Sequence, residues 1–207
     1  MNLAVSHEVS APPSCWSCRG PVAGRAAFCA TCGAVQPPGA ADPFDRLGFA
    51  HEFTIDLAAL DRAYFDLQRR LHPDRFAGKS AREKALSQQQ AASVNDAYQA
   101  LKDPLARAAA LLRHAGRPFD LHGQGTVADP TLLLEAMEMR EALAEAESPD
   151  AALAVSRRAE NEAATGRRAL AAAFVAADLD EAQRQVLRLV YLDKLIEEAR
   201  LRRRALV

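Results

Sequence analysis

No apolar run in the 207-residue sequence approaches the ~18–20 residues that a transmembrane helix needs, which excludes a helical membrane span. Stretches rich in Val, Ile and Thr are also missing, so a β-sheet has little to be built from. Neither sign of charge is in excess. The 26 Lys and Arg meet 27 Asp and Glu, a net charge of -1, which leaves no electrostatic case for nucleic acid or an anionic membrane surface. Cysteine is confined to four residues between positions 15 and 32, which argues against a secreted disulfide scaffold. The opening Met1–Glu8 has neither the basic and apolar regions of a secretory signal nor the arginines of a mitochondrial transit peptide. It predicts a short disordered tail over 1–14 on a cytoplasmic, bacterial protein, in preference to one of the mitochondrial matrix. What is present is Ala, Leu, Arg and Glu, with 49% hydrophobic and 26% charged residues. That composition predicts a soluble, all-α protein.

The cysteines form two Cys-x-x-Cys pairs, Cys15/Cys18 and Cys29/Cys32, separated by ten residues. Two such pairs can place four thiolates around one tetrahedral ion, with Zn–S near ~2.3 Å. A knuckle or small ribbon over 15–36 follows, with Gly20 and Gly33 suited to turns whose N–H groups point at sulfur. A closed four-thiolate site has no open coordination position, so a structural Zn(2+) is expected. Iron remains open on ligand type, and a redox pair is the lesser reading. Only Arg19 and Arg25 lie nearby, too little charge for nucleic-acid binding.

After a proline-stiffened linker over 35–43, Phe44–Gly48 reads as one helical turn ending at Gly48. Asp56 is placed to cap a helix whose Leu57, Leu60, Tyr64, Leu67 and Leu71 form one buried stripe. Arg62, Arg69 and Arg70 fall away from it. Pro73 lacks an N–H and pushes His72 out of the helical region, so the helix stops near Leu71. An exposed His72-Pro73-Asp74 corner results. Ser80 and Glu83 then make a capping box for a helix with core residues Leu86, Val94, Tyr98 and Leu101. The short connection predicts an antiparallel hairpin. Asp103-Pro104 starts another helix, carrying Leu105, Ala108, Ala109 and Leu112, which ends by Gly116.

Turn formers over 116–128 separate this part from a second domain at 129–207. Asp129-Pro130 opens a helix with Leu132, Ala136, Met139 and Leu143 on its core side. Leu133, Leu134 and Met137 add a second apolar strip bordered by Glu138, Arg140 and Glu141, a wider apolar arc than a surface helix needs. Ser148-Pro149 begins a long helix to about Ala177, in which Gly166 marks close helix contact or a soft spot. Asp178 caps the last, with Val186, Leu189, Leu192, Ile196 and Ala199 inward, completing an up-down three-helix bundle. The terminal Arg200, Arg202, Arg203 and Arg204 complement the helix dipole.

Phe44-x-x-Leu47-Gly48, the run Leu67-Gln68-Arg69-Arg70-Leu71-His72-Pro73-Asp74-Arg75-Phe76, and Asn95-x-Ala97-Tyr98-x-x-Leu101-x-Asp103-Pro104-x-x-Arg107-Ala108 together resemble a J-domain, over 42–115. Leu133–Glu141 and Leu189–Leu195 resemble the C-terminal domain of the HscB family of iron–sulfur cluster co-chaperones, some members of which carry a tetracysteine extension. The resemblance implies a protein that is not itself an enzyme and binds no nucleotide. It would stimulate a DnaK/HscA-type ATPase chaperone through His72, Pro73, Asp74 and Arg75, with Arg62, Arg69 and Arg70 as a steering face. It would hold an IscU-type scaffold through Leu133, Leu134 and Met137, with Glu138, Arg140, Glu141 and Tyr191 at the edge. A general J-protein for unfolded clients is the alternative, and a zinc-dependent redox or nucleic-acid module is a more distant one. An acid–base role for His72 and Asp74 is set aside, because an exposed turn lacks the desolvated pocket that shifts catalytic pKa values.

Overall fold

The structure, a computed structural model, describes residues 14–23, 25–120 and 130–207. The expected cap at Asp129, the expected linker over 116–128 beyond Asp120, and the expected tail over 1–14 up to position 13 lie outside them; Ser14, the last residue of that expected tail, is bridged to Pro21. The described residues fold into seven α-helices and one 3₁₀ turn, without a named strand. They divide into two units, one comprising the described residues up to Ala50 with Asp56–Leu101, the other His51–Ile55 with Lys102–Val207. None of the helices is long and apolar enough to cross a membrane.

In the first unit, α1 (Pro43–Leu47) begins under an Asp42 cap and ends at Gly48, whose φ of 75° is the left-handed conformation that favours glycine. α2 (Leu57–Leu71) starts where the Asp56 carboxylate accepts the Ala58 N–H at 2.8 Å. It stops at His72, which is extended (φ -56°, ψ 135°) ahead of Pro73. α3 (Ala81–Lys102) opens on the expected box: Glu83 Oε2 accepts from Ser80 N–H at 3.1 Å and Oγ at 2.8 Å.

The α2–α3 pair is antiparallel. Asp61 accepts from Tyr98 Oη at 2.8 Å, the Tyr64 and Tyr98 rings stack at 4.1 Å, and Gln68 Nε2 donates to Ala91 O at 3.2 Å. Leu60, Leu71, Leu86, Val94, Ala97 and Leu101 are buried. Leu57 was expected in that stripe, yet it is 50% exposed. Helical period fixes the direction of a side chain, not how far along the helix its neighbour reaches.

In the second unit, α4 (Pro104–His114) buries Ala108, Ala109, Ala110, Leu111 and Leu112 and packs against α7. The unit boundary therefore falls between Leu101 and Lys102, and α4, grouped by sequence with 42–115, packs in the second unit. His51–Ile55, between α1 and α2 in the chain, belongs there too. Phe53 is buried, its ring 5.5 Å from that of Phe174 and under the Arg107 guanidinium at 5.0 Å.

α5 (Pro130–Ala144), α6 (Pro149–Val175) and α7 (Leu179–Ala205) form the three-helix part. On α6 the buried residues Ala152, Ser156, Ala159, Ala163, Gly166, Leu170 and Ala173 alternate steps of four and three, a coiled-coil-like seam of small side chains. It receives the larger Val186, Leu189, Leu192 and Ile196 of α7. A Cβ at Gly166 would lie 3.1 Å from Leu189 Cδ2, so this glycine marks close approach. α6 ends at Val175, and Ala177, expected inside the helix, instead takes the left-handed conformation at φ 55°.

Candidate metal knuckle and partner-binding surfaces

The two cysteine pairs fold as matching turns. Cys15 O accepts from Arg19 N–H at 2.9 Å, and Cys29 O accepts from Gly33 N–H at 2.9 Å. Arg19 (φ 63°) occupies the left-handed position that Gly33 (φ 72°) fills in the second turn. Gly20 N–H points at Cys18 Sγ (3.4 Å) and Ser17 N–H at Cys15 Sγ (3.3 Å).

Cys15 and Cys32 sulfurs are 3.7 Å apart, and those of Cys18 and Cys29 3.8 Å. All four lie within 4.8 Å of one another. A tetrahedron with metal–sulfur bonds of ~2.3 Å has edges of about 3.8 Å, so the thiols are spaced for one tetrahedral metal ion such as zinc. Burial opposes ionisation of Cys15. The amides of Cys18 and Ser17 and the neighbouring thiols overcome it and bring its pKa down to about 6, while at Cys18 the Gly20 amide is outweighed by the neighbouring thiols, which push that thiol up to about 12, so the four sulfurs ionise as a set.

Sequence reasoning missed how the knuckle is held. The buried Gln36 donates through Nε2 to Cys15 Sγ (3.3 Å) and Ala34 O (2.8 Å), while its backbone carbonyl accepts from Gln90 Nε2 of α3 at 2.9 Å. Arg70 of α2 lies 4.4 Å over the Phe28 ring, Arg82 of α3 lies 4.4 Å over the Trp16 ring, and Arg25 pairs with Asp45 of α1. The knuckle is thereby fastened to the helix pair. A lone glutamine or aromatic carries no periodic signal, so nothing in the sequence marks these contacts.

His72, Pro73 and Asp74 are all exposed, and the Asp74 side chain is 89% accessible. His72 Nδ1 accepts from Asp74 N–H at 3.3 Å, and the 3₁₀ turn Pro73–Phe76 is anchored by the buried Phe76. The corner is thus rigid at its base and open at its tip. Of the arginines read as a steering face, Arg62 is 3.6 Å from Asp56, Arg69 pairs with Asp66, and Arg70 is drawn onto Phe28. Arg75 is exposed beside the corner.

On α5, Met139 and Leu143 are buried, and Leu132 and Ala136 are half-buried. Leu133, Leu134 and Met137 remain 50%, 59% and 62% exposed. Glu138, Arg140 and Glu141 surround them on the surface. Tyr191 of α7 is half-buried, donates its hydroxyl to Ala136 O and lies beneath the Arg140 guanidinium. Burial pushes its phenol pKa up, keeping it a neutral donor. Leu133, Met137, Arg140 and Tyr191 line a 270 Å³ cleft between α5 and α7, together with Leu187 and Arg188, whereas Leu134, Glu138 and Glu141 lie outside its lining. Arg188, which sequence reasoning passed over, joins Glu135 of α5 at 3.0 Å and Glu162 of α6 at 2.8 Å. It fixes all three helices around the cleft.

The chain thus pairs an exposed His-Pro-Asp corner on an antiparallel helix pair with an exposed apolar strip on a three-helix part, and the proteins it is similar to are co-chaperones. The family model for the HSCB C-terminal oligomerisation domain matches residues 128–200. The chain is 38% identical over 160 residues to the co-chaperone protein HscB homolog of Aliivibrio salmonicida, covering 75% of this chain and 92% of the relative. It is 34% identical over 206 residues to the iron-sulfur cluster co-chaperone protein HscB of Mus musculus, covering 97% of this chain and 86% of the relative. The crystal structure of human co-chaperone protein HscB superposes with a TM-score of 0.82 at 34% identity, covering 91% of this chain and 98% of that one. The chain belongs to the HscB family of iron–sulfur cluster co-chaperones.

Proposed function

We propose that this chain couples two partners and catalyses nothing itself. Its His72-Pro73-Asp74 corner stimulates ATP hydrolysis by a DnaK/HscA-type chaperone, and its α5 strip holds an IscU-type iron–sulfur scaffold. The observation that carries this reading is the pair of surfaces left uncovered: a carboxylate 89% accessible on a rigid turn, and three apolar side chains exposed on the back of a packed helix. Asp74 offers an arginine of the ATPase a charge-assisted hydrogen bond, roughly twice as strong as a neutral one. Pro73 and the buried Phe76 fix the turn beforehand, so docking loses little conformational entropy. Leu133, Leu134 and Met137 form the apolar centre of the scaffold contact, with Glu138, Arg140, Glu141 and Tyr191 as its polar rim. Holding both partners raises the effective concentration of one for the other.

The four thiolates of Cys15, Cys18, Cys29 and Cys32 would hold a structural Zn(2+), which supplies a cross-link for the knuckle and no chemistry. The test is Asp74→Asn, equal in shape and lacking the charge. It is expected to abolish ATPase stimulation in a steady-state phosphate-release assay while scaffold affinity is unchanged. Full stimulation by Asp74→Asn would remove the corner from the mechanism.

A further inference from the structure

The first unit buries two glutamines, Gln36 just beyond the knuckle and Gln90 in the middle of α3. A buried amide is costly unless its hydrogen bonds are made, and those of Gln36 are. Its backbone N–H donates to Ala27 O at 2.9 Å, and its backbone carbonyl accepts from Gln90 Nε2 at 2.9 Å. The side-chain Nε2 donates to Cys15 Sγ at 3.3 Å and to Ala34 O at 2.8 Å. Ala34 O also accepts the Cys29 N–H at 2.9 Å, so one side chain is tied to both cysteine turns. From this geometry we infer that Gln36 is a positioning residue for the metal: its amide steadies the Cys15 thiolate, and its bond from Gln90 makes the stability of the helix pair depend on the metal. The inference rests on reading the four thiolates as a metal site.

Ser17 and Gly20 reach the sulfurs through backbone amides of the turns themselves, whereas Gln36 reaches Cys15 with a side chain from outside both turns. Its two acceptors fix which way the amide faces. Ala34 O can only accept, and so can a metal-bound thiolate, so the NH2 group and not the carbonyl is turned to sulfur. Cys15 is buried, and in that low-dielectric setting an N–H aimed at a thiolate is strengthened and carries part of its charge. Such outer donors orient metal ligands and tune how tightly they hold the ion. The bond from Gln90 carries the effect onward. α3 is in turn joined to α2 by Tyr98 on Asp61 and Gln68 on Ala91, so a knuckle locked around its metal braces α3, and α3 braces α2. A metal bound by the folded state alone then stabilises every element that unfolds with the knuckle.

The test uses the full chain with Zn(2+), and with Co(2+) as its spectroscopic substitute. Gln36→Met keeps the side-chain length and the backbone bond from Gln90 and removes the two Nε2 bonds; Gln90→Met removes the bond from α3 and leaves Cys15 untouched. Competition against a zinc-chelating dye is expected to show Zn(2+) held about tenfold more weakly by Gln36→Met. Gln36→Glu, equal in shape, turns a carboxylate on the thiolate and is expected to hold it more weakly still. In the Co(2+)-loaded chain, loss of an N–H from sulfur is expected to move the sulfur-to-metal charge-transfer band to longer wavelength in Gln36→Met and to leave it in place in Gln90→Met. A role in packing alone would not move that band. Removing the metal with a chelator is expected to leave the helices folded at ambient temperature and to lower their Tm by circular dichroism, and this fall is expected to shrink in Gln90→Met. An unshifted band in Gln36→Met, or an unchanged Zn(2+) affinity in Gln36→Glu, would overturn the positioning role and leave the metal site standing. An equal fall in Tm in Gln90→Met and the unsubstituted chain would overturn the link to α3. Failure of the unsubstituted chain to take up Zn(2+) would overturn the metal site and the inference together.

Discussion

The apolar strip on α5 gives the sharpest quantitative expectation. Burying a Leu or Met side chain completely is worth about 1.5–3 kcal/mol. Leu133, Leu134 and Met137 are 50%, 59% and 62% exposed, so roughly half of that gain, about 1 kcal/mol each, is still available to a partner. Truncating all three to alanine should therefore weaken scaffold binding by about 3 kcal/mol, on the order of 100-fold in Kd. The helix should barely notice. Its packing rests on Met139 and Leu143, which are 2% and 8% exposed, and alanine is the better helix former. Calorimetric titration with the purified scaffold reads the first effect, and thermal unfolding by circular dichroism the second. An unchanged Kd would show that the strip does not touch the scaffold. A large fall in Tm would show that the three side chains act in folding.

Ala177 sits in the left-handed region at φ 55°, where a Cβ costs roughly 1 kcal/mol. Ala177→Gly should raise the stability read by urea unfolding, and a loss would mean that the αL turn is not strained. Metal analysis of the purified chain should find one Zn(2+) per molecule, and Cys32→Ser should lose it with little change in helical circular dichroism. The Ser80 hydroxyl and then its amide hold the Glu83 carboxyl below its ordinary pKa. That contribution is present above the unfolded carboxylate pKa and lost as pH falls through the lowered folded value. Glu83→Gln should accordingly flatten the acid side of the stability–pH curve around and below the ordinary carboxylate range, and an unaltered curve would discount the box.

The helix starts and stops were legible because each has a local cause. Asp56, Asp103, Ser148 and Asp178 accept the N–H groups they were expected to cap, and Pro73 ends α2 where its missing donor requires. The four thiols were legible from spacing alone. The α5 arc was visible as too wide for one packing face, but its width fitted a helix sandwiched in a bundle as well as an exposed strip, and only the packing of α5 decides for exposure. What stayed hidden depends on residues far apart in the chain. Gln36 and Gln90 meet across 54 positions, and Arg188 reaches Glu135 across 53. Neither pairing leaves a periodic trace. Arg19 in a left-handed turn also escaped notice, since the matching position of the other cysteine pair is a glycine and this one is not.

Phe53 has one more consequence. His51–Ile55 interrupts the first unit yet packs in the second, so the chain crosses from one to the other at 50/51, 55/56 and 101/102. No single scission liberates either half intact. A fragment beginning at Lys102 would leave the Phe174 ring and the Arg107 guanidinium without the aromatic plug that seals them. Excised pieces of this molecule are therefore poor proxies for the behaviour of the whole.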